Sequence, residues 1–269
     1  MELKIENIIQ VILTKHETQK VKYFEEKKFK NVTDFISSVN DAIISNIVDQ
    51  KDAYSNSKIS RQDILDNLSY FILEYTSNLY AFGVDVNLCK QWLSVYTCLI
   101  FVKQDFFEAS AYCILTEEYS LLKIIPQNVK VSKQLPDQIL KLLLNTNHET
   151  EIDISRYDSE ELRKQYNFLL NNITGGDKKI LDSAFGKIYR WYYENGWVDE
   201  YENGQFPLFE PAICALFALA VRNGYMPNKM TKRQFLFYRI AAEEKKYKNL
   251  FYYAEERLIF DEKVFLTDY

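Results

Sequence analysis

Turn-forming residues are scarce in this chain: 269 residues include only 7 glycines and 5 prolines. So few breaks disfavour the many short strands and tight turns of an all-β fold, and favour long helices joined by short loops. Histidine is scarcer still, with only His16 and His148. Neither has a cysteine or carboxylate at ligand spacing and no His-Glu-x-x-His occurs, so we expect no metal and no other cofactor. Cys89, Cys98, Cys113 and Cys214 lie singly inside apolar runs; they read as free buried thiols in a reducing cytosol. There is no Gly-x-Ser-x-Gly elbow and no phosphate-cradling glycine loop. Gly175-Gly176-Asp177-Lys178 lacks the spaced glycines and the Lys-Ser/Thr pair of such a loop, and a helix-to-helix turn accounts for it. No apolar run approaches the roughly 18 to 20 residues needed to cross a bilayer. Met1 to Glu6 lacks the basic start and apolar core of a signal peptide. These features predict a cytoplasmic protein.

What is present is apolar and helical in pattern. With 47% hydrophobic residues the chain can bury a sizeable core, and the net charge of −5 argues against general affinity for nucleic acid or anionic membrane. Helical spacing runs through Glu2 to Lys15, through Thr33 to Asp49 with Phe35, Ile36, Val39, Ile43, Ile44, Ile47 and Val48 facing inward, and from Ile64 to Phe82. Ser60 and Asp63 form a capping box for the third of these, Gly83 closes it, and Asn87 is expected to cap the next, which carries Leu88, Trp92, Leu93, Tyr96 and Leu99. A further helix is expected from Asp105 to about Leu122, and another after Pro136. Ala53 to Lys58 reads as a loop. Asn145 to Tyr157 is polar and turn-rich, and marks a boundary between a lobe over 1–150 and a lobe over 151–269.

In the second lobe, Ser159 and Asp177 cap two helices, the latter with Ile180, Leu181, Ala184, Phe185, Ile188, Tyr189, Trp191 and Tyr192 on one face. Asn203 to Pro211 forms a turn-rich entrance to Ala212–Val221, ten residues without a polar side chain, which reads as a central buried helix. Helices are expected over Thr231 to Ala242 and Glu243 to Arg257, with Leu258 to Tyr269 packed along the surface. The fold class is therefore all-α, antiparallel helical hairpins in two packed lobes.

Carboxylates cluster at Glu149, Glu151, Asp153, Asp158, Glu160 and Glu161, and again at Asp199, Glu200, Glu202 and Glu210. They are either solvated loop charge or a negative patch that steers a basic partner. Glu210 precedes the apolar helix, where amide dipoles are positive; it either steadies that helix or forms the floor of a groove. Trp191, Tyr192, Tyr193, Trp197, Tyr201 and Phe206 supply dense aromatics suited to a core or to interface anchors. The basic and aromatic stripe Lys232, Arg233, Phe235, Tyr238, Arg239 is followed by Glu243 and Glu244, which disfavours direct nucleic-acid binding.

With Trp191-Tyr192, Tyr201, Gly204 and Phe209-Glu210 before an alanine-rich helix, and Tyr80-Ala81-Phe82-Gly83-Val84 between two long helices, the chain remotely resembles the PoNi family over Ser60 to Asn223. These bacterial immunity proteins of polymorphic toxin systems neutralise PoNe-type nuclease toxins. Where the family has a Tyr-Gly-Tyr-Trp-like turn, this chain has Gly204-Gln205-Phe206-Pro207-Leu208, so the likeness speaks for the immunity class rather than for a particular toxin. It implies a non-catalytic protein that binds a cognate toxin and occludes its active site, with Glu160, Glu161, Asp199, Glu200, Tyr201, Glu202 and Glu210 as candidate partner-binding residues. Homodimer formation stays open. The alternatives are a non-catalytic helical scaffold or regulatory protein, and an enzyme using the Glu210 carboxylate.

Overall fold

The computed structural model describes residues 3–25, 33–126, 129–130, 134–144, 159–173, 177–195, 210–228 and 230–267. The fold is all-α: helices pack on helices, with one two-stranded hairpin. Two compact units are present, one formed by 1–104 together with 245–269, the other by 105–244. They do not divide at residue 150. Helices α5 (Phe106–Thr116) and α6 (Leu135–Leu143) pack with each other and with α9 (Pro211–Arg222), so they join the second unit.

The first unit contains α1 (Ile5–Gln19), extended by a π-helical turn at Lys20–Glu25, α2 (Thr33–Ser55), α3 (Arg61–Ala81) and α4 (Val86–Val102). Ser60 and Asp63 close the expected capping box on α3, and Gly83 leaves it at φ +72, a conformation that costs glycine little. Asn87 does not cap α4. Asp85 does, through Oδ1 to the amides of Asn87 and Leu88, while the Asn87 Oδ1 accepts from the Lys246 amide at 2.8 Å. Helix α2 continues through the predicted loop as far as Ser55, and Val48 is exposed rather than inward. The side chains of Phe35 and Ile36 lie outside the described residues.

Helix α4 is buried from Val86 to Phe101, polar positions included. Its hydroxyls are satisfied: Thr97 Oγ1 donates to the Leu93 carbonyl at 2.6 Å, and Ser94 Oγ lies 3.0 Å from the Tyr247 hydroxyl.

The last part of the chain differs from expectation. Instead of a helix over Glu243 to Arg257, an antiparallel hairpin forms from β1 (Phe251–Ala254) and β2 (Arg257–Phe260), followed by α11 (Glu262–Leu266). The run Phe-Tyr-Tyr-Ala and Arg-Leu-Ile-Phe is aromatic and β-branched, suited to a pleated surface. Pairing Phe251 with Phe260 places two buried rings 5.1 Å apart. Part of the tail is core rather than surface: Phe260, Val264 and Phe265 are buried, and the Phe265 ring lies 5.0 Å from that of Trp92, while Leu266 is exposed.

In the second unit, α5 stops at Glu117, which takes a left-handed conformation, and a 3-10 turn follows at Tyr119–Ile124; the expected helix to Leu122 is therefore broken. Helices α7 (Glu160–Asn172) and α8 (Lys178–Glu194) start at Ser159 and Asp177 as expected, and α10 (Lys232–Ala242) opens with a Thr231/Gln234 capping box. Helix α9 is buried from Ala212 to Ala218 because α5, α6 and α10 enclose it. An all-round apolar helix needs such enclosure. Arg222 at its end pairs with Glu117 at 3.0 Å and hydrogen-bonds the Tyr119 hydroxyl.

Candidate interaction surface

Helices α8, α9 and α10 meet around an aromatic cluster that sets what is left facing solvent. The Phe217 ring stacks on Tyr238 at 4.4 Å and meets Phe185 edge-on at 4.9 Å. Tyr225 and Asn228, in the link between α9 and α10, both bond the Asp182 carboxylate on α8, the Tyr225 hydroxyl at 2.6 Å. The Tyr238 hydroxyl donates to the Phe185 carbonyl at 3.0 Å. Burial pushes the Tyr238 phenol well up; Tyr225 is pushed up by burial and then by Asp182. Both therefore stay neutral donors. This framework fixes the rotation of α10.

Because successive helical side chains are about 100° apart, Phe237, Tyr238, Ile240 and Ala241 point inward and Phe235 and Leu236 cannot. Phe235 and Leu236 are 49% and 48% exposed, beside Lys232 and the Arg239–Glu243 ion pair at 3.0 Å. Met226, in the clamped link, is 71% exposed. The Lys232 to Arg239 stripe thus splits: Phe235 faces out while Tyr238 is core. Two adjacent large apolar side chains on an outward helical face, rimmed by charge, have the composition of an interface anchor.

Of the predicted partner-binding residues, Glu160, Glu161 and Glu210 are described, whereas Asp199, Glu200, Tyr201 and Glu202 lie outside the described residues, as do Trp197, the Asn203–Phe209 turn and His148. Glu160 and Glu161 sit exposed in the first turn of α7, and each is paired: Glu160 with Lys164 at 2.7 Å, Glu161 with Lys187 at 3.1 Å. Hydrogen bonds to these lysines hold both carboxyls below their usual range. They do not form an uncompensated negative patch. Glu210 occupies the N-cap position of α9 by its backbone, its carbonyl accepting from the Cys214 amide at 3.0 Å, but its half-buried side chain makes no cap hydrogen bond.

The aromatic dipeptide divides in the same manner as α10. Tyr192 is buried, its hydroxyl 2.7 Å from that of Tyr166, while Trp191 is half-buried. Ile180, expected on the inner face of α8, is exposed. All four cysteines are buried, and His16 is a core histidine with Nδ1 3.1 Å from the Tyr75 hydroxyl. Among the described residues no group of three or more His, Cys, Asp or Glu side chains is placed to hold a metal ion, and no helix is long and apolar enough to cross a membrane. Comparison of the chain with protein-family models, with curated proteins and with solved structures finds no match in any of the three.

Proposed function

We propose that this chain is a cytoplasmic immunity protein that binds a cognate bacterial toxin, such as a nuclease, and occludes its active site. The observation that supports the reading is the outward face of α10. Phe235 and Leu236 are held half in water by a helix whose other side is locked through Phe237 and Tyr238. Rigid apolar anchors of this kind bind without first being ordered, which lowers the cost of association. Lys232, Arg239 and Glu243 around them provide a polar rim in which both signs of charge are present. Glu160 and Glu161 contribute by exchanging their lysine partners for basic groups of the toxin, a swap between exposed pairs each worth little. The family likeness around Trp191 to Glu210 favours a toxin over another partner.

The test is to purify the product of the adjacent toxin gene and titrate it with this protein. A one-to-one complex with loss of toxin activity is expected, and Phe235→Glu with Leu236→Glu should weaken it at least about a hundredfold, as hot-spot anchors do. If the neighbouring product neither binds nor loses activity, the immunity reading fails. If it binds and the double variant binds equally well, the α10 face is the wrong surface.

A further inference from the structure

In the first unit the buried side chains of His16 and Gln19 on α1, Tyr75 on α3 and Trp92 on α4 form one hydrogen-bonded chain whose donors can all be assigned. An indole N–H only donates, so the 3.1 Å contact from Trp92 Nε1 places the Gln19 amide with its Oε1 toward the ring. Turning that amide over would set its NH₂ group against the indole N–H. Gln19 Nε2 therefore keeps its place although it has no hydrogen-bond partner. The Tyr75 hydroxyl also lies 3.1 Å from Gln19 Oε1, and its one proton goes there. Burial pushes the Tyr75 phenol far up, so that proton stays on it. The Tyr75 oxygen then accepts from His16 Nδ1, 3.1 Å away, and the neutral imidazole carries its hydrogen on Nδ1.

This leaves Nε2 bare, facing a carboxylate. Asp41 Oδ1 on α2 is 3.5 Å from it, with no hydrogen between the two lone pairs. Asp41 is held instead by Lys20, whose Nζ lies 3.2 Å from each carboxylate oxygen. Lys20 opens the π-helical turn Lys20–Glu25, so this ion pair ties the turn to α2. The charges that face His16 are Glu17 and Lys20 along its own stretch and Asp41 on α2. Among the described residues α3 adds the neutral Tyr75 hydroxyl, while α4 and α11 set no charge against the ring.

A proton from solvent can enter only at Nε2, because Nδ1 is occupied, and the 42% exposed Asp41 side chain brings water to that edge. Two opposed lone pairs then become a charge-assisted hydrogen bond from Nε2–H to Oδ1. The imidazolium also repels the Lys20 ammonium, which pushes in the same direction. We infer that His16, Asp41 and Lys20 form a proton-operated latch at the end of α1: protonation of Nε2 draws Asp41 off Lys20 and releases the turn Lys20–Glu25 from α2. The half-exposed Lys20 ammonium completes its solvation in water. Burial opposes the charge on the ring, so the latch is closed at neutral pH and opens below the ordinary histidine value of 6.5.

Nitrogen-15 NMR of the full chain labelled at histidine tests the latch, with His148→Asn removing the other histidine signal. At neutral pH Nδ1 should carry the hydrogen, and Nε2 should gain one with a midpoint below 6.5. The backbone amide signals of Lys20–Glu25 should move with that same midpoint, and His16→Asn should abolish the movement. Asp41→Asn should lower the His16 midpoint by about half a unit or more, a roughly threefold weaker hold on the proton. Lys20→Gln should release the turn at every pH while leaving the hydrogen on Nδ1. Circular dichroism verifies that the helices persist through the titration, and Lys20→Gln with the unsubstituted chain decides if Asp41→Asn does not fold. Three outcomes overturn the inference: a hydrogen on Nε2 at neutral pH, turn signals that ignore the His16 midpoint, or an Asp41→Asn midpoint that does not fall.

Discussion

Replacing Phe217 and Phe235 separately by alanine tests the rotation of α10 and the enclosure of α9 together. Phe217 is fully buried, with ring partners Tyr238 at 4.4 Å, Phe185 at 4.9 Å and Tyr225 at 5.7 Å. Its truncation removes the transfer free energy of the ring and leaves a cavity whose walls, Asp182-clamped Tyr225 among them, cannot collapse freely. Phe→Ala at such a site costs about 3 to 5 kcal/mol. Phe235 is about half exposed, so the same change there forfeits only part of the burial of one ring, roughly 1 kcal/mol. Urea unfolding followed by circular dichroism and fluorescence gives both values from the shift in midpoint at unchanged slope. Because the chain forms two units, coincidence of the two signals is required before a single unfolding free energy is extracted. A Phe217→Ala loss of less than about 1.5 kcal/mol, or a Phe235→Ala loss as large as that of Phe217→Ala, would refute the assignment of inward and outward faces.

His16 makes stability depend on acid. Burial lowers its pKa from 6.5, against the opposing pull of Glu17 and Asp41, the latter 3.5 Å away. As pH falls below 6.5 the unfolded chain takes up the proton first, so this contribution is whole above pH 6.5 and is lost as pH falls through the depressed folded value. The urea midpoint should decline on going from pH 7 toward about pH 5, where carboxylates begin to add; His16→Asn should flatten that decline, and an equal slope in both proteins would remove His16 as its cause. In the hairpin, Glu255 and Glu256 sit at φ +50 and +60, the backbone of a turn that prefers Asn-Gly. Exchanging the pair for Asn-Gly should raise stability by about 1 kcal/mol in the same urea assay; no gain would mean that the glutamates bear no strain.

Local signals carried most of the helical architecture. Ser60, Ser159, Asp177 and Thr231 each lead a helix, and each cap bond depends only on residues two or three positions away. What spacing could not supply was how many sides of a helix are covered. Helix α9 announces its enclosure because none of Ala212 to Val221 is polar. Helix α4 is as thoroughly buried, yet reads as amphipathic, since Ser94, Thr97, Lys90 and Gln91 interrupt its apolar run. Two of them are satisfied inside: Thr97 bonds its own preceding turn and Ser94 meets Tyr247, more than 150 positions later in the chain. The division into units was hidden for a related reason. It depends on residues after Glu244 packing with those before Asp105, a pairing of distant segments that no local window contains. The hairpin at Phe251 to Phe260 was masked by the charge density of Glu243 to Arg257, which suits an exposed helix equally well.

One feature of the candidate surface is legible in the sequence. Phe235-Leu236-Phe237-Tyr238 is a run of four large apolar residues on a helix, and a 100° step between neighbours cannot direct all four into one core. Either the helix is covered all round, as α9 is, or part of the run is exposed. Arg239 and Lys232, which belong in water, decide for exposure and fix its direction. The buried pair must then lie opposite them, at Phe237 and Tyr238, which is the arrangement that the Phe217 stacking and the Phe185 carbonyl impose. The predicted acidic residues were the weaker signal, because a glutamate in the first turn of a helix already has a use there. Glu160 and Glu161 show it by pairing with Lys164 and Lys187. An exposed carboxylate has water and lysines to satisfy it, whereas exposed Phe235 and Leu236 lose nothing by being covered. Apolar exposure is for that reason the stronger pointer to where a partner binds.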